Sequence, residues 1–439
     1  MSIFIAILVL SLLIIVHEIG HFTAAKLLGV RVLEFSLFMG PRLFSFTKGE
    51  TRYSVKLIPV GGSCLMDGED RESDENDDKA LYHKPKWARA VIFAAGPFMN
   101  VFTAFIMILV LNLSVGFVSC ELSAVAENSP ATTASVRLAA GDEIISYAGK
   151  RVHVPSDIFV YLQETKGAPV DMTFRRGGEL IKSRITPDFT PGIRYILGFT
   201  GAEPNGPDWS LIVDVTEGEP AETLGLRPGD RLQTVNGRTP ADRLELRGIL
   251  AEAGGGEVEI TWTKPDGSAA SGRIEPKLTN GQDYYSLGVS YVGKERPGIF
   301  ESIRYAYHNC ISFSKMVLYS LKWMITGAVG VDQVSGVVGI VAEIGAGVEE
   351  TSKSQYGVTA VVIYLLQLSA LIGINLGLFN LIPFPPLDGS KLLLLGVEAV
   401  RRKDIPLERQ AVISMIGFGV LILVMLLTVF NDIFRLISR

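Results

Sequence analysis

The sequence has little cysteine, and what it has is scattered. Three cysteines, Cys64, Cys120 and Cys310, stand in 439 residues. They form no Cys-x-x-Cys pair and no closely spaced framework, which argues against a disulfide-stapled domain or a thiolate metal site. Pairing of Cys120 with Cys310 stays open as an isolated possibility. A surplus of positive charge is also lacking, because the net charge is −5, and this disfavours nucleic acid as a partner.

Charge is scarce in four long stretches of the chain. The sequence is 48% hydrophobic and 20% charged, with a mean hydropathy of +0.32. The apolar stretches run from Ile3 to about Ala25, from Val91 to Val118, within residues 354–387, and from Gln410 to Asn431. Each reaches the roughly 20 residues that a helix needs to cross the hydrocarbon core of a bilayer. The sequence therefore predicts a polytopic α-helical membrane protein with four transmembrane helices.

The distribution of lysine and arginine predicts how these helices are oriented. Both the loop from Lys26 to Ala90 and the loop after Asp388 carry clusters of basic residues. Such clusters mark cytoplasmic loops. Both termini and the segment from Ser119 to about Gln355 are then expected on the outer face, with two C-terminal arginines as mild exceptions.

The first apolar stretch contains the sequence His17-Glu18-Ile19-Gly20-His21. Residues four apart share one face of a helix. Two histidines at this spacing can bind one zinc ion, with the adjacent glutamate as general base. Ionisable groups at bilayer depth are costly and usually functional. We therefore predict His17 and His21 as zinc ligands and Glu18 as the base, although a metal transporter would also place histidine and glutamate inside its spans.

A second polar motif, Asn-Leu-Ile-Pro-Phe-Pro-Pro-Leu-Asp-Gly, closes the third apolar stretch at residues 380–389. Its prolines interrupt the helix and free backbone groups. Asp388 is a candidate third zinc ligand, because catalytic zinc takes three protein ligands and a carboxylate is a common third. Asn380 is a candidate donor to the oxyanion of a tetrahedral intermediate. An ordinary span end would explain the prolines and the glycine, but not Asn380 and Asp388 together.

Between the first two spans, residues 29–62 alternate apolar and polar side chains around Gly40-Pro41. This pattern predicts hairpin strands. They form either a small cytoplasmic sheet or a sheet edge that dips toward the membrane site and pairs with an extended substrate. In the second span, Gly96-Pro97-x-x-Asn100 is interpreted as a helix-packing element, and a hydrogen bond from Asn100 to another helix stays open.

The outer segment contains an internal repeat. The pairs Gly141-Asp142 and Gly229-Asp230 lie 88 residues apart, and each follows a Pro-Ala pair. Alternating, strand-like sequence comes after both, at residues 170–174 and 258–263. The repeat resembles a tandem of PDZ domains, α+β modules that capture peptides by adding a strand to a sheet edge. A steric filter over the membrane site, without peptide capture, is an equally open interpretation.

The paired motifs resemble the site-2 protease family of intramembrane zinc metalloproteases, and the PDZ-like repeats make the chain similar to the bacterial regulator-of-sigma-E group. The resemblance implies that His17, His21 and Asp388 ligate Zn²⁺, that Glu18 is the base, and that Asn380 binds substrate or the oxyanion. The hairpin would correspond to the family's membrane-associated β-region. Ser390, Val337 and Ser63-Cys64 depart from the residues common in the family, and they affect loop geometry rather than metal chemistry. The implied organisation is 1–118 for the N-terminal membrane part, 119–190 and 200–280 for two PDZ-like domains, 299–350 for amphipathic surface helices that help gate access, and 354–439 for the C-terminal membrane part.

The resemblance also implies a function. The expected activity is hydrolysis of peptide bonds within single-span membrane proteins, such as anti-sigma factors or signal-peptide remnants, after another protease has made a first cut. The protein is expected to be a monomer in contact with lipid in the bacterial inner membrane, with its PDZ-like domains on the periplasmic or outer face. A non-catalytic PDZ scaffold is the remaining alternative.

Overall fold

The computed structural model describes residues 2–69, 77–127, 129–191, 193–202, 209–216, 218–280, 284–326, 336–352 and 357–437. The chain forms two compact units. One comprises Met1–Phe117 together with Glu295–Arg439, and the other comprises Val118–Lys294. All three cysteines are free thiols, so the structure contains no Cys120–Cys310 disulfide.

The first unit opens with two long apolar helices separated by a hairpin. The elements are α1 (Ser2–Leu27), β1 (Val32–Lys48), β2 (Thr51–Met66), a 3₁₀ turn at Leu81–His83 and α2 (Lys86–Val115). Pro85 precedes α2, and Gly116 follows it with φ of 86°. A glycine in this conformation ends a helix without the strain that a side chain would cause.

Strands β1 and β2 form a small sheet in which part of β2 pairs with β1 on both sides. Residues 52–55 pair on one side with residues 44–47 and on the other with residues 34–37. Strands form here as predicted. Residues 34–37 run parallel to residues 52–55 and residues 44–47 run antiparallel to them, so the chain reverses around Gly40-Pro41, and it turns again at Gly49-Glu50. The far end exposes large apolar side chains, namely Leu43, Phe44, Phe46 and Leu57. Contact of this end with lipid stays a prediction.

The second unit contains two similar series of elements. The first series is β3 (Phe117–Val125), α3 (Pro130–Thr133), β4 (Glu143–Tyr147), β5 (Lys150–Arg151), α4 (Pro155–Thr165), β6 (Val170–Arg176) and β7 (Glu179–Ile185). Next come β8 (Asp188–Thr190), β9 (Ile193–Ile196), β10 (Phe199–Gly201), β11 (Ile212–Val215), α5 (Pro220–Leu224), β12 (Arg231–Val235), α6 (Arg243–Ala253), β13 (Val258–Thr263) and β14 (Ala269–Ile274). The last strands are β15 (Lys277–Asn280), β16 (Tyr284–Ser286) and β17 (Val289–Lys294). The helices α4 and α6, and the strands β6 and β13, begin 88 residues apart.

The repeated Gly-Asp pairs have the same role in both series. Asp142 accepts a hydrogen bond from the Ala139 backbone, and Asp230 accepts one from the Arg227 backbone. Both aspartates are buried. Each carboxylate therefore closes the turn that leads into the next strand, which explains why this pair recurs.

The two series are nested rather than strictly sequential. Strand β8 pairs with β16, and β9 pairs with β15. The sheet of the first series has the order β17-β3-β4-β6-β7, so its edge strand comes from beyond the second series. The sequence boundary at residue 190 did not include this strand, because β17 follows the whole second series in the chain.

Five helices complete the first unit: α7 (Ile299–Ile325), α8 (Val337–Ser352), α9 (Gly357–Asn380), α10 (Asp388–Arg401) and α11 (Leu407–Ile437). Helices thus form where amphipathic ones were predicted between residues 299 and 350. Helix α7 packs on α2 and α9, and α8 packs on α1, α9 and α11. Their location at a membrane surface stays a prediction. The charge of Asp332 between them argues, from the sequence, against a further span, and this residue lies outside the described residues.

The prediction of four membrane spans is confirmed at the level of length and composition. Within the described ranges, four helices are long and apolar enough to cross a bilayer, at Phe4–Leu27, Lys86–Val115, Gly357–Asn380 and Glu408–Phe430. Small residues bring three of these helices close together. A Cβ on Gly20 of α1 would lie 2.3 Å from the Ala95 carbonyl oxygen of α2, and one on Gly377 of α9 would lie 2.8 Å from the Pro97 carbonyl oxygen. Such close approach is typical of helix packing in membranes.

A buried ion pair fixes α10 against α2. Arg89 Nη1 lies 3.2 Å from Glu398 Oε2, and Glu398 is fully buried. Its other oxygen accepts a hydrogen bond from the Ile405 backbone at 3.0 Å. Removing one partner of such a pair typically costs about 3–5 kcal/mol, because the other charge is left buried and unpaired. The pair therefore holds in place the helix that begins at Asp388.

Candidate metal centre

Helix α1 presents two imidazoles from one face. His17 and His21 are both buried, and their Nε2 atoms lie 3.1 Å apart. Their rings meet edge to face, with an interplanar angle of 79°. The spacing of four residues produces this arrangement, because it advances the chain by about one helical turn.

Asp388 reaches the same point from the other end of the chain. Its Oδ2 atom lies 3.0 Å from His17 Nε2 and 3.2 Å from His21 Nε2. Asp388 is the first residue of α10 and follows the proline-rich turn after α9. Gly389 permits this turn, since a Cβ there would lie 2.2 Å from the Leu381 carbonyl oxygen.

These three groups fit a zinc ion. Ligand atoms around a tetrahedral zinc at ~2.0–2.2 Å lie roughly 3.4 Å from one another, close to the separations of 3.0–3.2 Å found between the three side chains. Two histidines and one carboxylate also match the donor sets of catalytic zinc sites, which leave a fourth position open. Among the described residues, no other group of three or more His, Cys, Asp or Glu side chains meets the geometric criteria for a metal site.

Glu18 lies between the histidines in sequence and faces the hairpin. The backbone of Cys64 in β2 lies beside its carboxylate, and a Cβ on Gly62 would lie 3.7 Å from its Cγ. Ser11 of α1 ties β2 to the same helix by donating its hydroxyl to the Pro59 carbonyl at 2.9 Å. Strand β2 thus borders the glutamate beside the candidate metal site.

A stripe of residues four apart on α2 lines the histidine pair. The Ile92 carbonyl oxygen accepts a hydrogen bond from His21 Nδ1 at 2.9 Å. Gly96 leaves room for both rings, since a Cβ there would lie 2.4 Å from His21 Nε2 and 2.7 Å from His17 Nε2. The Asn100 amide lies 3.2 Å from His17 Nδ1. Sequence reasoning interpreted Gly96 and Asn100 as packing residues. Their spacing places them on one face of α2, but it does not show that this face meets the histidines.

Asn380 does not touch the three candidate ligands in the described contacts. Its Nδ2 group donates to the Leu376 carbonyl oxygen at 2.9 Å, within its own helix. An amide nitrogen carries two N–H donors, and this bond uses one of them. Its role toward an oxyanion stays a prediction.

Comparison with known proteins adds an independent finding. The sequence model of peptidase family M50 matches residues 5–424. The chain is 28% identical over 446 residues to the regulator of sigma-W protease RasP of Bacillus subtilis, covering 98% of this chain and 97% of that protein. It is 28% identical over 443 residues to the zinc metalloprotease RasP of Bacillus licheniformis, covering 98% of each. It is 27% identical over 460 residues to the zinc metalloprotease RasP of Shouchella clausii, again covering 98% of each.

Proposed function

Because the chain belongs to peptidase family M50, we propose that His17, His21 and Asp388 ligate its zinc and that Glu18 is its catalytic base. The protein is an intramembrane zinc metalloprotease of the site-2 type. The observation that supports the residue assignment is the convergence of three ligand atoms, from positions 17, 21 and 388, between apolar helices. The similarity to proteases favours neither the transporter nor the scaffold.

The side chains at this site are assigned different roles in peptide hydrolysis. Zinc bound by the three side chains would supply Lewis-acid polarisation of a water molecule and of the scissile carbonyl. Glu18 accepts the proton of the attacking water and returns it to the amide nitrogen as the peptide bond breaks. Strand β2, whose Cys64 backbone lies beside the carboxylate, would orient Glu18 toward the water. We also propose that Asn380 donates its second N–H to the developing oxyanion.

Removal of metal tests this proposal directly. We expect purified protein in detergent to cleave a single-span membrane peptide, to lose that activity when o-phenanthroline strips the metal, and to recover it with one equivalent of Zn²⁺. Mg²⁺, which prefers six oxygen ligands, should not restore cleavage. Undiminished cleavage by protein shown by elemental analysis to be metal-free would contradict the assignment.

The substrates we propose are single-span proteins already shortened by another protease. A transmembrane helix shields its peptide bonds with its own hydrogen bonds, so it must unwind before cleavage. Pairing with the edge of β2 would replace those bonds. Since one similar protein is a regulator of sigma-W protease, an anti-sigma factor is a suitable substrate, and signal-peptide remnants are a second class.

We propose the topology predicted from the basic loops. The hairpin and α10 are then on the cytoplasmic side of the bacterial inner membrane, and residues 119–355 are on its outer side. The support is the concentration of lysine and arginine in the two inner loops. The monomeric state stays a prediction.

We propose further that the second unit comprises two PDZ-like domains, and that the first of them captures a peptide. A cavity of about 200 Å³ lies between α4 and the segment that leads into β17, lined on the helix by Pro155, Ile158, Phe159 and Leu162. Strand β17 ends its sheet, so an extended peptide could pair with its outer edge.

The second repeat carries arginines at the corresponding helix positions, and both make contacts with neighbouring segments. Arg243 occupies the position equivalent to Pro155, and its Nη2 lies 3.4 Å from the Phe199 carbonyl oxygen of β10. Arg247, equivalent to Phe159, donates to the Tyr284 hydroxyl at 3.1 Å. In the described part of the second repeat, these two helix positions are therefore charged where those of the first repeat are apolar.

A substitution that places the arginine of the second repeat at the equivalent position of the first distinguishes peptide capture from steric filtering. Phe159→Arg is expected to weaken binding of short peptides with an apolar C-terminal residue by about tenfold, because it removes a large apolar contact. Leu180→Arg, at an exposed site on β7, is the control and should leave binding unchanged. Binding is measured by fluorescence anisotropy. Equal binding by all three proteins would exclude this groove as the capture site, and absence of binding by the unmodified protein would favour the filter.

A further inference from the structure

The two candidate zinc histidines differ in the hydrogen-bond partner of Nδ1, the ring nitrogen that faces away from the metal position. For His21 this is a backbone carbonyl, Ile92 O, at 2.9 Å. For His17 it is a side chain, the Asn100 amide, at 3.2 Å from Nδ1. No side-chain substitution removes the first partner, whereas the second can be replaced.

A neutral imidazole that gives its Nε2 lone pair to a metal carries its proton on Nδ1. The Nδ1–H group then needs an acceptor. A backbone carbonyl provides one for His21 in every arrangement. For His17, only the amide oxygen of Asn100 can accept, since the amide nitrogen is a donor.

Asn100 is fully buried in the middle of the apolar helix α2. Its Oδ1 atom has no hydrogen-bond partner among the described residues, while Nδ2 faces His17. A half-turn of the amide exchanges the two atoms, because they have nearly the same shape. Either orientation leaves one amide atom without a partner, so the hydrogen bond to His17 Nδ1 decides which way the amide points.

We propose that Asn100 is a positioning residue for the metal site: its Oδ1 accepts Nδ1–H of His17 and thereby fixes the tautomer and ring orientation in which Nε2 binds zinc. This inference rests on the proposed assignment of His17 as a ligand. This role explains why a buried amide with one unpaired atom is found here, although such an amide typically costs about 1–3 kcal/mol. An aliphatic side chain would pack at this position without that cost.

Zinc affinity of the full-length protein, measured by competition with a chromophoric chelator, tests the proposal without reference to catalysis. Asn100→Leu removes the acceptor and is expected to lower zinc affinity about 10- to 100-fold, the usual effect of losing a hydrogen-bond partner of a metal-bound histidine. Asn100→Asp keeps an acceptor oxygen and should bind zinc at least as tightly as the unmodified protein.

Asn112 provides a matched control on the same helix. It is also a buried asparagine, and its Nδ2 donates to the Ser302 carbonyl oxygen of α7 at 3.2 Å. Asn112→Leu should lower thermal stability but leave zinc affinity unchanged. Unchanged affinity in Asn100→Leu, equal losses in Asn100→Leu and Asn112→Leu, or a comparable loss in Asn100→Asp would each overturn the proposal. Failure of the unmodified protein to bind zinc would instead overturn the proposed function, so the two failures are distinguishable.

Discussion

Replacing Glu18 with glutamine is expected to lower kcat for cleavage of a single-span peptide by about 10²–10⁴-fold, the range typical of losing a general base. The glutamine side chain has nearly the same shape but cannot accept the proton of the attacking water. The zinc content should stay at one ion per chain, because Glu18 is not among the three groups that converge at the candidate metal position. Single-turnover cleavage and elemental analysis of the same preparation measure both quantities.

Two further substitutions sharpen this test. Glu18→Asp keeps the charge but withdraws the carboxylate by one methylene, so its activity should fall between those of the glutamine variant and the unmodified protein. His17→Ala should lose metal and activity together. Wild-type cleavage by Glu18→Gln would exclude Glu18 as the base, and loss of zinc from that variant would give the glutamate a ligand's role instead.

Replacing Gly96 with alanine is expected to lower zinc affinity by 100-fold or more, on the order of the larger losses seen when the support of a metal ligand is removed. The added Cβ would lie 2.4 Å from His21 Nε2 and 2.7 Å from His17 Nε2. These are the atoms that would bind the metal, so the rings must move away from the site. Alanine also has a higher helix propensity than glycine, and helix content should therefore not fall.

Gly373 in α9 offers the matched substitution. A Cβ there would meet its nearest neighbours at 3.5 Å, an ordinary contact distance. Gly373→Ala should therefore bind zinc like the unmodified protein in the same chelator competition. If Gly96→Ala also bound zinc normally, the close approach of α2 to the histidine pair would not be a constraint on the site.

The sequence was most informative where local spacing alone brings groups together. His17 and His21 share a face because of the helical period, and a carboxylate at position 388 was the natural third group once two apolar stretches carried polar motifs. The structure brings these three side chains together. Four apolar helices could likewise be predicted, because membrane spans need only length and absence of charge.

Features that depend on contacts between distant elements were not predictable. The role of Gly96 and Asn100 depends on which face of α2 meets α1, and a single sequence does not specify that face. The nested order of the repeats depends on pairing between β17 and β3, strands separated by the whole second series. The hairpin region turns at Gly49-Glu50 as well as around Gly40-Pro41, and residues 52–55 pair on both sides; the alternation of apolar residues does not specify this pairing.

The nested order also has a consequence for how the protein is made. The ribosome delivers residues 193–280 before Val289–Lys294, the strand that closes the sheet containing β3 and β4. The second repeat therefore has all its strands available while the first is still missing an edge. Domains generally fold in the order in which they are synthesised, but here the module that begins first is the one completed last.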